Sequence, residues 1–272
     1  MAKGRPMISE SDLKVGGALE RIKHVMIVMS GKGGVGKSTV SSNLAMALAM
    51  KGHRTGIMDV DIHGPNIPKM FGLEDAQMTV EDNKLVPVTA AHGLKVMSMA
   101  FLLPEKDAPV AWRGPVKMGA IRQFIEDVAW GDLDYLVIDM PPGTGDEAIS
   151  IIQLIPKADG MIVVTTPQEV ALLDSRKSIV FSVQVKIPVI GIVENMSSFV
   201  CPHCGERSDI FKSGGGEAMA SDMGVQFLGR VPIEPGIVIS GDSGVPIVAA
   251  SPDSVSAKAF AEIADRVLRT VG

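Results

Sequence analysis

Short apolar runs alternate with longer segments of helical periodicity along most of this sequence. The apolar runs predict strands at residues 25–29, 55–59, 94–99, 135–139, 161–165, 189–193 and 226–229. Their nearly continuous apolar character is typical of strands covered on both faces, as in a parallel sheet. Helical periodicity between the runs predicts helices that include residues 38–50, 116–129, 169–183 and 254–271.

The alternation of strands and helices indicates one α/β domain, with a mostly parallel twisted sheet and helices on both faces. Residues 1–22 are polar and mixed in charge, and we interpret them as an N-terminal arm before a domain at 23–272. Two stretches, 62–87 and 197–213, interrupt the alternation and are predicted to be extended loops that carry function. The apolar residues of the closing helix have helical spacing, which predicts a core-packing face rather than a membrane anchor.

Net charge and the lack of long apolar segments argue against several classes of protein. The sequence has 272 residues and a formal net charge of −5, which argues against a general nucleic-acid surface, because such surfaces depend on clustered Lys and Arg. Its beginning lacks the apolar run of a signal peptide, and no stretch is long and apolar enough for a membrane span. We therefore predict a cytoplasmic protein without a membrane span.

A glycine-rich stretch follows the first predicted strand and precedes the first predicted helix. Residues 31–38 read Gly-Lys-Gly-Gly-Val-Gly-Lys-Ser and match the phosphate-binding P-loop pattern. Glycines let backbone N–H groups curl around phosphate oxygens, and the helix N-terminus adds partial positive charge. Lys37 is predicted to reach the β- and γ-phosphates, and the Ser38 hydroxyl to bind Mg²⁺. The predicted nucleotide contacts in the loop are Gly31, Gly33, Gly34, Val35, Gly36, Lys37, Ser38 and Thr39.

Carboxylates at the ends of two predicted strands are candidates for the magnesium side of the site. Asp139 ends its strand at the position from which a carboxylate holds Mg²⁺ through the water shell, and the turn after it brings the Gly143 N–H where it can sense the γ-phosphate. Asp59 and Asp61 are separated by one residue, so both can point into the site. Asp59 is predicted to support the magnesium shell or the loop backbone, and capping of a turn is the alternative for both residues.

A second lysine near the start of the loop, Lys32, marks the deviant Walker A class, and the loop resembles those of MinD, ParA and the nitrogenase iron protein. The resemblance implies a homodimer in which Lys32 touches the partner's nucleotide, and it implies that Asp61 orients the attacking water. A solvated loop lysine is the alternative for Lys32. Asn195 follows a predicted strand, and its amide can pair with adenine, as in the related enzymes, unless it is only a turn residue. Residues 193–196 lack a GTP-binding signature, so we predict ATP.

The two cysteines of the sequence, Cys201 and Cys204, form a C-x-x-C pair followed by Gly205. This spacing lets two thiolates face one metal. Two thiolates do not complete an all-thiolate tetrahedral site, so such a site requires a second copy of the chain. Four thiolates suit a bridging 4Fe–4S cluster or a zinc ion. A zinc site completed by histidine, a redox dithiol and an inert pair remain alternatives, and His203 is predicted to point away from the metal.

Five motifs together resemble those of the Mrp/ApbC iron–sulfur carrier ATPases, namely residues 31–39, 59–68, 139–146, 194–197 and 201–205. The resemblance implies a homodimer that binds a 4Fe–4S cluster, hydrolyses ATP with Mg²⁺, slowly, and hands the cluster to apo-proteins. Three alternatives stay open. They are a MinD/ParA-like spatial regulator that binds membrane or DNA, an ATPase with a structural zinc site, and a nucleotide-dependent electron donor.

Overall fold

The computed structural model describes residues 18–102, 114–155, 157–201 and 203–272. Most of the predicted arm, up to residue 17, lies outside these ranges, as does Pro202 of the cysteine motif. The first strand begins at Ile22, three residues before the predicted start.

Strands cover the predicted positions, and five short ones were not predicted. The strands are β1 (Ile22–Met29), β2 (Thr55–Asp59), β3 (Thr79–Glu81), β4 (Lys84–Val86), β5 (Val88–Thr89), β6 (Lys95–Ser98), β7 (Leu133–Asp139), β8 (Gly160–Thr165), β9 (Val189–Glu194), β10 (Phe199–Val200), β11 (Arg207–Ser208) and β12 (Phe227–Arg230). Eight of them form one sheet in the order β12-β9-β8-β1-β7-β2-β6-β5. All its pairs are parallel except β5 with β6. The predicted mostly parallel sheet is confirmed.

Helices connect the parallel strands and close the chain. They are α1 (Lys37–Met50), α2 (Ile67–Met70), α3 (Gly114–Glu126), α4 (Asp146–Gln153), α5 (Glu169–Gln184), α6 (Gly215–Met223), α7 (Pro235–Asp242), α8 (Ile247–Ala250) and α9 (Val255–Val271). Short 3-10 turns lie at Ala91–Gly93 and Met99–Leu102. The sequence predicted the long helices α1, α3, α5 and α9 and missed the shorter ones.

Apolar side chains pack on both faces of the sheet, which explains the continuous apolar runs. In β1, Met26 and Val28 join the core under α1 and α9, whereas Ile27 and Met29 join the core on the opposite face. Alternation with period two therefore places consecutive apolar residues in two different cores, and each fully buried side chain stabilises the fold by roughly 1.5–3 kcal/mol.

The closing helix α9 buries its apolar face against the sheet. Phe260, Ile263 and Val267 are fully buried there, and this confirms the predicted core-packing face. Within the described ranges, no helix is both long and apolar enough to cross a membrane.

The two predicted loop stretches contain small secondary-structure elements. The stretch 62–87 holds α2 and the antiparallel ladder of β3 with β4. The stretch 197–213 holds the antiparallel hairpin of β10 with β11, which carries the cysteines. Both stretches begin where parallel strands end, and the β3–β4 ladder reaches the segment before β7, where Leu85 bridges to Val128.

Candidate functional site

The P-loop connects the end of β1 to the start of α1. Gly34 and Gly36 have φ angles of 79° and 81°, a left-handed conformation that glycine adopts without steric strain. The loop lines a cavity of about 210 Å³ together with α2 and the segments that follow β2 and β7. The lining residues are Ser30, Gly33, Gly34, Gly36, Lys37, Ser38, Thr39, Asp61, Asn66, Met70 and Pro142. The structure therefore brings most of the predicted loop contacts and Asp61 to one cavity.

Asp139 is the centre of a buried polar cluster at the end of β7. Its Oδ2 accepts hydrogen bonds from Lys37 Nζ and Ser38 Oγ, each at 2.7 Å. Its Oδ1 accepts from Ser41 Oγ at 2.5 Å. Ser41 was missed by the sequence reasoning, although it lies four residues after Lys37 and therefore on the same helix face.

The residues around Asp139 fit a magnesium ion. Mg²⁺ prefers oxygen ligands, and the Ser38 hydroxyl and the Asp139 carboxylate lie within hydrogen-bond distance of each other at the base of the loop. In this structure the Lys37 ammonium compensates the buried charge of Asp139. Lys37 is therefore engaged by Asp139 in this structure, and its contact with the β- and γ-phosphates stays a prediction.

Asp59 lies beside Asp139 on the neighbouring strand and is completely buried. Its carboxylate accepts hydrogen bonds from the Asp61 N–H, the Ile67 N–H and the Ser98 hydroxyl. Burial, and secondly the charge of Asp139, raise the pKa of Asp59 to about 8. These contacts suit support of the loop backbone, one of the two roles predicted from the sequence, and the role of Asp59 stays a prediction.

Asp61 faces the cavity from the loop after β2. Its Oδ1 accepts the N–H groups of His63 and Gly64, both at 3.2 Å, so the turn that it caps also fixes the direction of its carboxylate. Burial raises the pKa of Asp61, and the charge of Lys37 opposes this shift. Asp61 therefore caps a turn, which was its alternative role, and it also lines the P-loop cavity where the sequence placed it.

Two predicted nucleotide contacts are engaged elsewhere in this structure. The Gly143 N–H donates to the Ser30 carbonyl at 2.8 Å, so it meets the P-loop backbone where a γ-phosphate contact was predicted. Asn195 is buried, and its Nδ2 donates to the Val35 carbonyl at 2.9 Å. Both residues touch the loop itself, and their contacts with nucleotide stay predictions.

Lys32 is half-buried in the loop, and among the described residues its ammonium makes no ion pair. Its backbone carbonyl accepts the Ser30 hydroxyl at 2.9 Å, which helps to shape the start of the loop. The contact of Lys32 with the nucleotide of a partner chain stays a prediction.

The cysteine pair lies at the tip of the hairpin of β10 and β11. Cys201 is half-buried, Cys204 is exposed, and both thiols are free. Gly205, with a φ of 73°, makes the tight turn and donates its N–H to the Cys201 carbonyl at 2.9 Å. The backbone N–H groups of Cys204 and His203 lower the pKa of the Cys201 thiol, which favours the thiolate that metals bind. Across the described ranges, no third His, Cys, Asp or Glu joins the pair in a set that could hold a metal ion.

Glu194 is a buried residue of the site that the sequence reasoning did not select. It ends β9 directly before Asn195, and its carboxylate accepts the N–H groups of Gly214 and Gly216 at the start of α6. The signal that could have found it is a charged residue at the end of an otherwise apolar strand, since such residues are buried only when they are paired.

Comparisons of the sequence and the structure with known proteins identify a family. A family model described as "ParA: NUBPL iron-transfer P-loop NTPase" matches residues 21–268. An iron–sulfur cluster carrier protein of Saccharolobus solfataricus is 51% identical over 271 residues, which cover 100% of this chain and 92% of that protein. The protein of the same name from Methanocaldococcus jannaschii is 49% identical over 267 residues, 98% of this chain and 91% of that protein.

Among solved structures, a nucleotide-binding protein from Archaeoglobus fulgidus in complex with ADP has 42% sequence identity and a TM-score of 0.77. The match covers 87% of this chain and 92% of that chain. The P-loop, the carboxylates around it and the cysteine pair all fall inside the residues matched by the family model. The chain therefore belongs to the ParA family of NUBPL-type iron-transfer P-loop NTPases.

Proposed function

We propose that this protein is a cytoplasmic iron–sulfur cluster carrier that binds and hydrolyses ATP and, as a homodimer, assembles or transfers a 4Fe–4S cluster to apo-proteins. The observation that carries the proposal is one chain with a P-loop site and a pair of free thiols. The two relatives described above are named iron–sulfur cluster carrier proteins, and their names support the same function.

In the proposed reaction, the loop amides and the Lys37 ammonium hold the phosphates of ATP. Ser38 and Asp139 would hold Mg²⁺, with Asp59 behind them supporting the loop. The metal would neutralise charge that develops on the phosphate oxygens. Asp61 would orient the attacking water, and Lys32 of each chain would stabilise phosphoryl charge in the partner's site. Gly143 and Asn195 would turn from the loop backbone to the γ-phosphate and to adenine.

The thiol count supports a dimeric cluster site. Each chain supplies Cys201 and Cys204, and four thiolates complete the ligand set of a 4Fe–4S cluster. A twofold axis beside the hairpin would bring the two pairs together. Ile210 and Phe211, which follow β11, are exposed apolar residues that a second chain docked at the hairpin would cover.

The proposal is tested by anaerobic reconstitution with iron and sulfide, followed by absorption spectra, metal analysis and sedimentation of the full chain. We expect the wild type to bind one four-iron cluster per two chains, and Cys204→Ala to lose it. His203→Ala is the matched control, because it changes the same turn without removing a thiol. Full iron loading of Cys204→Ala would contradict the proposed cluster site.

Two other outcomes separate the alternatives. Zinc in place of iron, lost in His203→Ala, would assign a zinc site completed by histidine. A protein that remains monomeric while holding its metal would exclude the shared dimeric site, because one chain would then supply every ligand.

A further inference from the structure

Two consecutive residues at the end of β9 hold two different functional loops. Asn195 binds the P-loop through its hydrogen bond to the Val35 carbonyl. Glu194 binds the segments on both sides of the cysteine hairpin. Both side chains are buried, with relative exposures of 4% and 0%. The end of one strand therefore lies between the nucleotide site and the thiol pair.

The Glu194 carboxylate joins the two ends of the cysteine segment. Its Oε1 accepts the Ser197 hydroxyl at 2.5 Å and the Gly214 N–H at 2.9 Å, and its Oε2 accepts the Gly216 N–H at 2.5 Å. Ser197 precedes the hairpin and Gly214 follows it, so the carboxylate fixes the spacing of the hairpin's two stems. The Ser197 hydroxyl also lies 3.2 Å from the hydroxyl of Ser213, which tightens the same junction.

Charge makes this junction strong. The negative carboxylate sits at the N-terminus of α6, where the helix dipole and two N–H groups that lack partners within the helix favour an anion. Hydrogen bonds to a charged acceptor are stronger than neutral ones, and burial strengthens them further. Arg230 Nε lies 3.6 Å from Oε1 and adds a positive charge.

Close packing connects the other side of the strand end to the P-loop. A Cβ placed on Gly36 would lie only 2.2 Å from Asn195 Nδ2, so the amide rests directly on the loop backbone. A rearrangement of the loop around phosphate must therefore move Asn195 or break its bond to Val35. Glu194 directly precedes Asn195, so the same short backbone segment carries the amide that contacts the loop and the carboxylate that holds the hairpin stems.

We propose that Glu194 is a positioning residue that couples occupancy of the P-loop to the placement of Cys201 and Cys204. The inference rests on the proposed function, because it explains how nucleotide would control the affinity for the cluster. Nucleotide changes that affinity only if it binds differently to two arrangements of the hairpin. By linkage, cargo on the thiols then changes nucleotide affinity by the same factor.

The test measures the alkylation rate of the exposed Cys204 thiol by maleimide in the full chain. Rates are compared without nucleotide, with Mg-ADP and with a non-hydrolysable Mg-ATP analogue. We expect the wild-type rate to differ at least about fivefold between free and ATP-analogue states, the lower end of typical coupling. Glu194→Gln keeps the shape of the side chain and removes its charge, and the ratio should fall toward one while nucleotide still binds.

Glu262→Gln is the matched control. Glu262 is an exposed acidic residue of α9, and among the described residues it makes no ion pair with Arg230 and no contact with the hairpin stems. Its ratio should equal that of the wild type. If Glu194→Gln does not fold, Ser197→Ala removes one stem contact and should lower the ratio by itself.

The outcomes distinguish the two proposals. A wild-type ratio of one, with nucleotide bound and cluster loading intact, would overturn the coupling and leave the carrier function standing. An undiminished ratio in Glu194→Gln, or in Ser197→Ala where Glu194→Gln does not fold, would overturn the role of Glu194. A wild type that binds no nucleotide would overturn both the proposed function and the coupling.

Discussion

Replacement of Gly36 by alanine tests whether the P-loop and Asn195 are packed as tightly as the structure indicates. Gly36 has a φ of 81°, and an L-residue in this left-handed region loses roughly 1–2 kcal/mol. The added Cβ would also lie 2.2 Å from Asn195 Nδ2. Asn195 must then move and lose its hydrogen bond to Val35, and a buried polar group left unpaired costs about 1–3 kcal/mol. We expect Gly36→Ala to lower the free energy of unfolding by about 2–5 kcal/mol.

Gly34→Ala separates the two contributions. Gly34 has nearly the same φ, 79°, but among the described residues no atom beyond its chain neighbours lies within 4 Å of an added Cβ. Its cost should therefore be only the conformational one, about 1–2 kcal/mol. Both variants are measured by urea denaturation of the nucleotide-free protein, with the denaturant slope m compared to confirm that the transition is unchanged.

The third arm combines Gly36→Ala with Asn195→Ala. Because Asn195→Ala removes the clashing amide, the double variant should be more stable than the sum of the single effects by at least about 1 kcal/mol. Equal destabilisation by Gly34→Ala and Gly36→Ala, with additive effects in the double variant, would refute the close packing. It would also weaken the route by which loop movement reaches the cysteine hairpin.

Two further predictions concern ion pairs. Lys117 Nζ lies 2.5 Å from Glu147 Oε1 and 2.7 Å from His63 Nε2. Apart from this ion pair, Glu147 Oε1 is shielded from solvent and has no hydrogen-bond partner among the described residues. Lys117→Met should therefore destabilise the protein by about 1–3 kcal/mol in urea denaturation, with Lys117→Arg recovering most of the loss. Hydrogen bonds from Arg54 lower the pKa of Asp134, so this group stabilises the fold above its unfolded pKa of about 3.9 and loses that effect as the pH falls. At pH 7, Asp134→Asn should be less stable than the wild type by up to about 1 kcal/mol. Thermal unfolding should show this difference in stability shrinking below about pH 4. A difference that grows in acid would contradict the stabilising role of Asp134.

Local sequence patterns were sufficient for the sheet and for the phosphate loop. The predicted strand 55–59 coincides with β2, because a buried parallel strand carries an uninterrupted apolar run. β1 begins three residues earlier than predicted, since Lys23 and His24 are polar residues at the less buried start of the strand. The β3–β4 ladder was missed although Asp82 and Asn83 form its turn with positive φ angles, which is a recognisable hairpin signal.

The short helices were not predicted from the sequence, for a different reason. α4 has only eight residues, and its apolar positions are too few to separate a helix from a loop by periodicity. The packing of α4 against α3 depends on contacts between residues distant in sequence, which a local pattern does not reveal.

The sequence by itself determined the α/β fold, the position of the P-loop and the candidate carboxylates and thiols, because strand periodicity, glycine spacing and cysteine spacing are local properties of the chain. Only the tertiary structure decided that Asp139 binds Lys37 and Ser41, that Gly143 and Asn195 contact the loop backbone, and that Glu194 joins the stems of the cysteine hairpin. These contacts form because a buried polar group is costly without a hydrogen-bond partner. The partner available to each group depends on which strand ends the fold brings together, and that is not a local property of the sequence.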